Sequence, residues 1–161
     1  MASFSESTLH KFLLLFNILQ TLVGLTVMGI AGYLIKEDNT DFSRLLLLVS
    51  FIYVAIGALG VIAQRFPLMS FPHFALVVLY LLWNFGLFIT FVFFEKKSLN
   101  AINDLEDGSG RMHDWFSDHS SITKIGLASA LAFSIIYTGL TYRAREIRQY
   151  YKDNARSTLP H

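Results

Sequence analysis

The sequence predicts an all-α integral membrane protein, an antiparallel four-helix transmembrane bundle with a short helical loop between spans three and four. Three observations predict this fold class. The chain of 161 residues is 53% hydrophobic and contains 15 Phe, which is too apolar for a soluble domain of this size. Its apolar residues form long blocks of about 20, the length that crosses roughly 30 Å of hydrocarbon. Each block is apolar on all sides and has no acidic or basic residue in its interior.

The predicted elements follow one another along the chain with short connections. We expect an N-terminal arm at 1–11, a four-span bundle at 12–142 with an external loop at 95–121, and a basic tail at 143–161. The predicted spans lie at about 12–35, 45–63, 74–94 and 122–142. The first apolar run exceeds the roughly 7–15 apolar residues of a signal peptide, so we expect it to be a helix of the mature protein.

The connections between spans have their own signals. Pro67 and Pro72 bias the residues before them away from helix, so a turn separates spans two and three. The 95–121 loop has apolar residues at helical spacing on both sides of a glycine-rich turn, which predicts two short amphipathic helices. We expect this pair to cap the bundle and to place Trp115 and Phe116 at the membrane interface, where aromatic rings prefer to lie. The alternative is that these two side chains bind a partner.

The distribution of charge predicts sidedness. The loop at 95–121 has six acidic residues against three basic ones, whereas the tail is basic. Because loops facing the cytoplasm are enriched in Lys and Arg, we expect both termini on the cytoplasmic or equivalent side. Plasma membrane, endomembrane and organelle membrane all remain open. The tail residues expected to contact lipid headgroups or a partner are Arg143, Arg145, Arg148 and Lys152. Anionic lipid, at about 1 kcal/mol per basic residue, explains them better than nucleic acid.

Small and polar residues within the spans predict how the helices pack. Helices in lipid associate through close contact over small residues and through interhelical hydrogen bonds. In span four a small residue recurs every fourth position from Gly126, and span two has clustered Gly and Ala. The residues predicted to form helix-packing faces are Asn17, Thr21, Gly24, Gly32, Gly57, Gly60, Asn84, Gly126, Ala130, Ser134 and Thr138.

Three amides inside the spans have two interpretations. Asn17, Gln20 and Asn84 would either form interhelical hydrogen bonds or line a pathway for a ligand, ion or proton. Pathways usually carry acidic, basic or histidine side chains within the membrane. The spans contain none, because all five His lie at span edges or outside them. We therefore favour the structural interpretation for these amides.

Catalytic and metal-binding chemistry has little support in the sequence. The absence of Cys excludes disulfides and thiolate chemistry. His113, Asp114, Asp118 and His119 lie close together, but a solvated loop face explains them better than a metal site. No P-loop or dinucleotide-binding motif occurs in the required context. We expect a non-enzymatic protein without a cofactor or metal.

The pattern of spans and loops resembles the tetraspanin family. Span one, KFLLLFNILQTLVG, is similar to the family's opening helix in having a basic residue, an Asn and a Gly seven positions later, here Lys11, Asn17 and Gly24. The small-residue span IYVAIGALGVIA and the basic exit TYRAREIRQ are similar to the corresponding family segments. The chain departs from the family in lacking the CCG motif and all other Cys, and its third loop is short. The resemblance implies a protein that organises partners within a membrane.

Two functional hypotheses follow, and a third has less support. The first is a tetraspanin-like scaffold that organises other integral membrane proteins or membrane lipids through helix–helix packing. It would use the small loop, the basic tail and outward-facing Phe residues, which are Phe85, Phe88, Phe91, Phe93 and Phe94. The second is an accessory structural subunit of a larger membrane complex, such as a respiratory or transport assembly. The third is a small transporter, which would normally require an acidic residue within the membrane.

Overall fold

A computed structural model describes residues 6–37, 39–106 and 111–157, and the side chains of 8–37, 39–106 and 111–150. These residues are almost entirely helical and include no strand. The helices are α1 (Glu6–Glu37), α2 (Asp41–Arg65), α3 (Ser70–Phe93), α4 (Glu95–Leu105), α5 (Arg111–Asp118) and α6 (Ser120–Ser157), with a short 3₁₀ turn at Pro67–Met69. Four of them, α1, α2, α3 and α6, are long and apolar enough to cross a membrane. The predicted all-α class with four such helices is confirmed for this part of the chain.

The ends of α2 are set by local chemistry. The Thr40 hydroxyl accepts a hydrogen bond from the backbone N–H of Ser43 at 3.3 Å, which satisfies one of the free donors at the start of the helix. At the other end, Phe66 is extended because Pro67 follows it. Pro72 does not mark a turn, since α3 already begins at Ser70. Proline is tolerated there because the first turn of a helix has no N–H partner to lose.

The long helices pack mainly as two pairs. The most extensive contact is between α1 and α2, followed by that between α3 and α6, and α1 also packs against α6. The core contains Leu9, Leu13, Ile56, Val77, Tyr80, Tyr137 and Ala144. The helices α2 and α3, although consecutive in sequence, are in no more extensive contact than α1 and α6.

The two short helices lie between α3 and α6 in the chain. Two amphipathic helices, α4 and α5, occupy the segment where the sequence indicated them, and the glycine turn predicted at 108–110 lies outside the described residues. The helix α6 continues without a break into the basic tail and reaches Ser157. At about 1.5 Å per residue, this helix is longer than the hydrocarbon layer alone requires.

Candidate functional site: a buried polar cluster between the helices

The candidate site is a group of buried polar side chains contributed by α1, α3 and α6. Asn17 and Tyr137 are 0% exposed, and His73 is 2% exposed. The sequence interpretation placed His73 at the edge of a span, outside the bundle interior. It is instead enclosed in the first turns of α3, because that helix starts before Pro72. The site therefore contains an imidazole and a phenol that sequence reasoning did not assign to it.

Hydrogen bonds connect these three side chains in the order His73, Tyr137, Asn17. The Tyr137 hydroxyl donates to Oδ1 of Asn17, and Nε2 of His73 lies 2.9 Å from the same hydroxyl oxygen. A hydroxyl has one hydrogen to donate, so the Tyr137 oxygen accepts from His73. This geometry requires a proton on Nε2 of His73. The chain of bonds runs from α3 through α6 to α1.

The fourth long helix contributes backbone without side chains at this point. A Cβ built on Gly60 of α2 would lie 2.7 Å from Nε2 of His73 and closer still to the Asn17 side chain. A Cβ on Gly57 would lie 2.6 Å from the Asn17 carbonyl oxygen and 2.8 Å from the backbone N of Thr21. These separations are shorter than van der Waals contact, so only glycine fits. Glycine at both positions brings α2 directly against the polar cluster.

A second group of polar side chains continues the cluster toward α3. The side chains of Gln20 and Asn84 interact with the Tyr80 hydroxyl, and Nδ2 of Asn84 donates to the Tyr80 carbonyl oxygen at 2.8 Å. Asn84 was expected to bond between helices, but this carbonyl belongs to its own helix. Nδ2 of Asn17 is buried without a hydrogen-bond partner among the described residues.

Several residues predicted for helix packing lie at close helix–helix contacts. A Cβ on Gly24 would lie 2.7 Å from the backbone N of Val54, so α1 and α2 also approach closely there. Thr21 lies beside Gly57 and donates its hydroxyl to the Asn17 carbonyl oxygen at 2.9 Å. Ser134 is 0% exposed and bonds within α6. The structure places these residues on the inward faces of their helices.

Other members of that predicted set lie elsewhere. Gly32 and Gly126 are exposed, and no atom outside the local helix lies within 4 Å of a Cβ built on either. Ala130 and Thr138 are half-buried. A step of four residues rotates about 40° around a helix, so a strict four-residue repeat drifts off any one face. The inward face of α6 instead follows alternating steps of three and four through Ser134, Tyr137, Thr141 and Ala144.

The aromatic residues of α5 divide between two environments. Phe116 packs against Phe42 of α2 and Phe91 of α3, with ring centroids 6.4 and 6.1 Å apart. Trp115 is 49% exposed and stacks on His119 at 4.8 Å. Phe116 therefore closes this end of the bundle, while Trp115 remains accessible. Phe91, expected on the outer surface, is 7% exposed because Phe116 covers it.

The basic residues of the tail also differ from one another. Arg148 donates to the carbonyl oxygens of Ala63 at 2.7 Å and Gln64 at 3.2 Å, which satisfies the end of α2. The Arg145 guanidinium lies over the Phe71 ring at 5.1 Å. Arg143 is exposed and bonds Glu146. Lys152 is in α6, in a stretch whose side chains lie outside the described residues.

Two carboxylates that sequence reasoning did not single out position the short helices. Glu106 is 5% exposed, and both its oxygens accept from the backbone N–H of Met112 at 2.9 Å, which caps α5. Glu95 pairs with Nζ of Lys124 at 2.7 Å and also accepts from Ser120. The hydrogen bond from Lys124, followed by that from Ser120, lowers the pKa of the Glu95 carboxyl below its ordinary value. These contacts connect α4 and α5 to their neighbours.

The buried polar cluster is suited to joining helices. The cluster is built from amides, phenols and an imidazole, and the bonds of Tyr137 to His73 and Asn17 connect separate helices. Among residues 6–37, 39–106 and 111–157, no group of three His, Cys, Asp or Glu is placed to hold a metal ion. No protein-family model, curated protein or solved structure matches this chain. The interpretation of the site therefore rests on its own geometry.

Proposed function

We propose that this chain is a non-enzymatic, multi-pass membrane protein that acts as a tetraspanin-like scaffold, organising partner membrane proteins or lipids through helix–helix packing. In this proposal the four long helices form an antiparallel bundle in the membrane, with both termini on the cytoplasmic side. The charge distribution supports the orientation, since the tail is basic and the segment between α3 and α6 is acidic.

The observation that carries the proposal is the connected pairing of polar side chains inside the bundle. His73, Tyr137 and Asn17 satisfy one another across three helices, and Gly60 of the fourth helix lies against them. In a membrane such bonds and close glycine contacts hold helices together. The interior is thus occupied by assembly contacts, which supports a structural role.

The outward faces supply the surfaces on which partners would pack. On α3 the side chains of Phe85 and Phe93, which lie about 80° apart around the helix, are 50% and 71% exposed. Exposed apolar area is ordinary where lipid surrounds a helix, and large flat aromatic groups provide extensive van der Waals contact for a second protein. We place the partner surface on this face of α3.

The residues that carry the family resemblance support the same proposal. Asn17 and Gly24 both lie on the face of α1 that packs against α2. The seven-residue spacing brings both to the same side of the helix, two turns apart. The features that tetraspanins use outside the membrane are absent from this sequence, which has no Cys. Partner selection is therefore assigned to the membrane-embedded surface.

Purification of the full chain from its native membrane in a mild detergent tests the proposal. We expect several membrane proteins to co-purify in variable ratios, and Phe85→Ala with Phe93→Ala to reduce their recovery. Leu19→Ala with Leu22→Ala is the matched control, because these side chains on α1 are also exposed. A single complex of fixed stoichiometry would contradict the scaffold and identify the chain as an accessory subunit.

A further inference from the structure

A crevice of about 590 Å³ separates α2 from α3. Its walls include Ile52, Tyr53 and Ile56 on α2 and Leu79, Tyr80 and Trp83 on α3. These two consecutive helices are in much less extensive contact than α1 and α2 or α3 and α6. The volume lies within the roughly 300–1,000 Å³ typical of small-molecule sites.

The walls of the crevice determine what can fill it. They are almost wholly apolar, and the crevice is partly open to the outside of the bundle beside Leu79 and Leu82, which are 61% and 59% exposed. Apolar cavities are poor sites for water, because a buried water needs several polar partners. With the helices in a membrane, as the proposed function requires, the opening faces hydrocarbon. A hydrophobic occupant would enter from there.

The inner wall adds aromatic rings and hydrogen-bond donors. Tyr53 and Tyr80 meet edge to face with centroids 5.2 Å apart, and Trp83 interacts with the Tyr53 hydroxyl. Tyr53, Tyr80 and Trp83 carry the polar side-chain atoms of the wall, because the other side chains that line the crevice are aliphatic. This wall is therefore complementary to a flat ligand that brings an acceptor oxygen.

The position of these polar side chains along their helices limits the class of ligand that the crevice can bind. Tyr53 and Tyr80 each lie near the middle of a long helix, away from both ends of the bundle. A phospholipid keeps its headgroup at the membrane surface, so it would not bring an oxygen to this depth. A lipophilic carbonyl compound can do so, because its polar atoms are few and neutral.

We propose that the crevice between α2 and α3 binds a flat lipophilic carbonyl compound of the quinone class. Its ring lies against Tyr53, Tyr80 and Trp83, and a carbonyl oxygen accepts a hydrogen bond from the Tyr80 hydroxyl. Its apolar tail leaves past Leu79 and Leu82. The proposal concerns reversible binding and requires no electron transfer.

Tryptophan fluorescence provides a direct test, because the chain has only two Trp and one of them lines the crevice. In Trp115→Phe, Trp83 is the sole indole. Titration of this variant in lipid nanodiscs with a decyl-substituted benzoquinone is expected to quench its fluorescence saturably. In Trp83→Phe, which retains the distant Trp115, quenching is expected to rise without saturation. Equal, unsaturated quenching in both variants would overturn the proposal.

Further substitutions, each made together with Trp115→Phe, locate the binding. Ile52→Phe adds volume to the wall and is expected to abolish saturation, whereas Leu48→Phe should not, because that residue is 59% exposed and outside the crevice. Tyr80→Phe removes the donor and should weaken binding by about two- to tenfold. Affinity unchanged by both Ile52→Phe and Tyr80→Phe would contradict the assignment.

A competing occupant is tested with phosphatidylcholine brominated along its acyl chains. Strong quenching of Trp83 by this lipid that is lost in Ile52→Phe but kept in Leu48→Phe, together with unsaturated quenching by the quinone, would show an acyl chain in the crevice and overturn the quinone assignment. Equal quenching by the lipid in these two variants, together with saturable quenching by the quinone in unbrominated lipid, supports it. If the quinone does not bind in the crevice, the scaffold proposal is unaffected, because co-purification of partners is measured separately.

Discussion

Tyr137 on α6 donates a hydrogen bond to the side-chain oxygen of Asn17 on α1, at a separation of 120 positions in the chain. Both residues are fully buried, and His73 on α3 completes the connection. One phenol oxygen therefore serves two partners and joins three helices. These two hydrogen bonds of Tyr137 are the most important polar contacts between helices of the bundle.

Tyr137→Phe removes the shared hydroxyl while keeping the ring. It leaves Nε2 of His73 and Oδ1 of Asn17 buried without this partner, so we expect a loss of about 1–3 kcal/mol in the free energy of unfolding. This exceeds the average of about 0.6 kcal/mol for one interhelical hydrogen bond in a membrane protein. Thermal unfolding in detergent measures it. Tyr33→Phe, at a 63% exposed site, is the control and should have no effect; equal stability of both variants would exclude the proposed role of Tyr137.

Gly57→Ala tests the contact between α1 and α2. The added methyl group would meet backbone atoms of Asn17 and Thr21, which cannot move as a side chain can. We expect a loss of about 1–3 kcal/mol from overpacking. Gly86→Ala is the matched control, since nothing lies within 4 Å of its Cβ position. There we expect unchanged or slightly greater stability, because alanine favours helix; a stable Gly57→Ala protein would show that the two helices are farther apart.

The sequence was sufficient to predict the four long helices because hydrophobic blocks of membrane length are local features. It also indicated Asn17, Gly24, Gly57 and Gly60, where polar or minimal side chains interrupt an apolar surface. Tyr137 gave no such signal, since one tyrosine among apolar residues is compatible with any face. Its role depends on which helices meet, and that is a property of tertiary packing.

His73 shows a second reason why the sequence alone did not predict the whole site. Pro72 suggested a boundary, because proline disfavours helix in the residue before it. The same proline is compatible with the first turn of a helix, where its missing N–H has no cost. Sequence alone did not separate these two effects, so His73 was assigned to the edge. The structure starts α3 at Ser70 and thereby encloses the imidazole.

Substitutions at Gly126 and Ser134, which both lie on α6, are expected to affect stability differently. The four-residue repeat predicted that Gly126→Leu would disrupt the bundle, but the structure leaves open space at that position. We now expect Gly126→Leu to change stability by less than about 0.5 kcal/mol. Ser134→Leu should destabilise strongly, because Ser134 is 0% exposed. Melting temperatures of the two variants in one detergent decide between the repeat and the observed inward face; destabilisation by Gly126→Leu alone would favour the repeat.

Acidification should loosen the contact between α4 and α6. The Lys124 and Ser120 hydrogen bonds lower the pKa of Glu95 in the folded protein. A lowered pKa means that the contribution to stability is present above the unfolded pKa and is lost as the pH falls through the folded pKa. We expect faster amide hydrogen exchange in α4 below that pKa, after correction for the intrinsic effect of pH. Glu95→Gln should show the faster exchange at neutral pH; if the variant and the parent protein exchange equally there, the ion pair does not hold α4.

The arrangement of the four helices across a membrane is the central claim, and the absence of Cys makes it directly measurable. Asn39→Cys precedes α2, Asp118→Cys ends α5, and Leu68→Cys lies in the turn between α2 and α3, where the native side chain is 89% exposed. Each single-cysteine protein is treated with a membrane-impermeant maleimide in sealed vesicles of known orientation. The account predicts labelling of positions 39 and 118 from one side and of position 68 only from the other. Labelling of all three from the same side would contradict it.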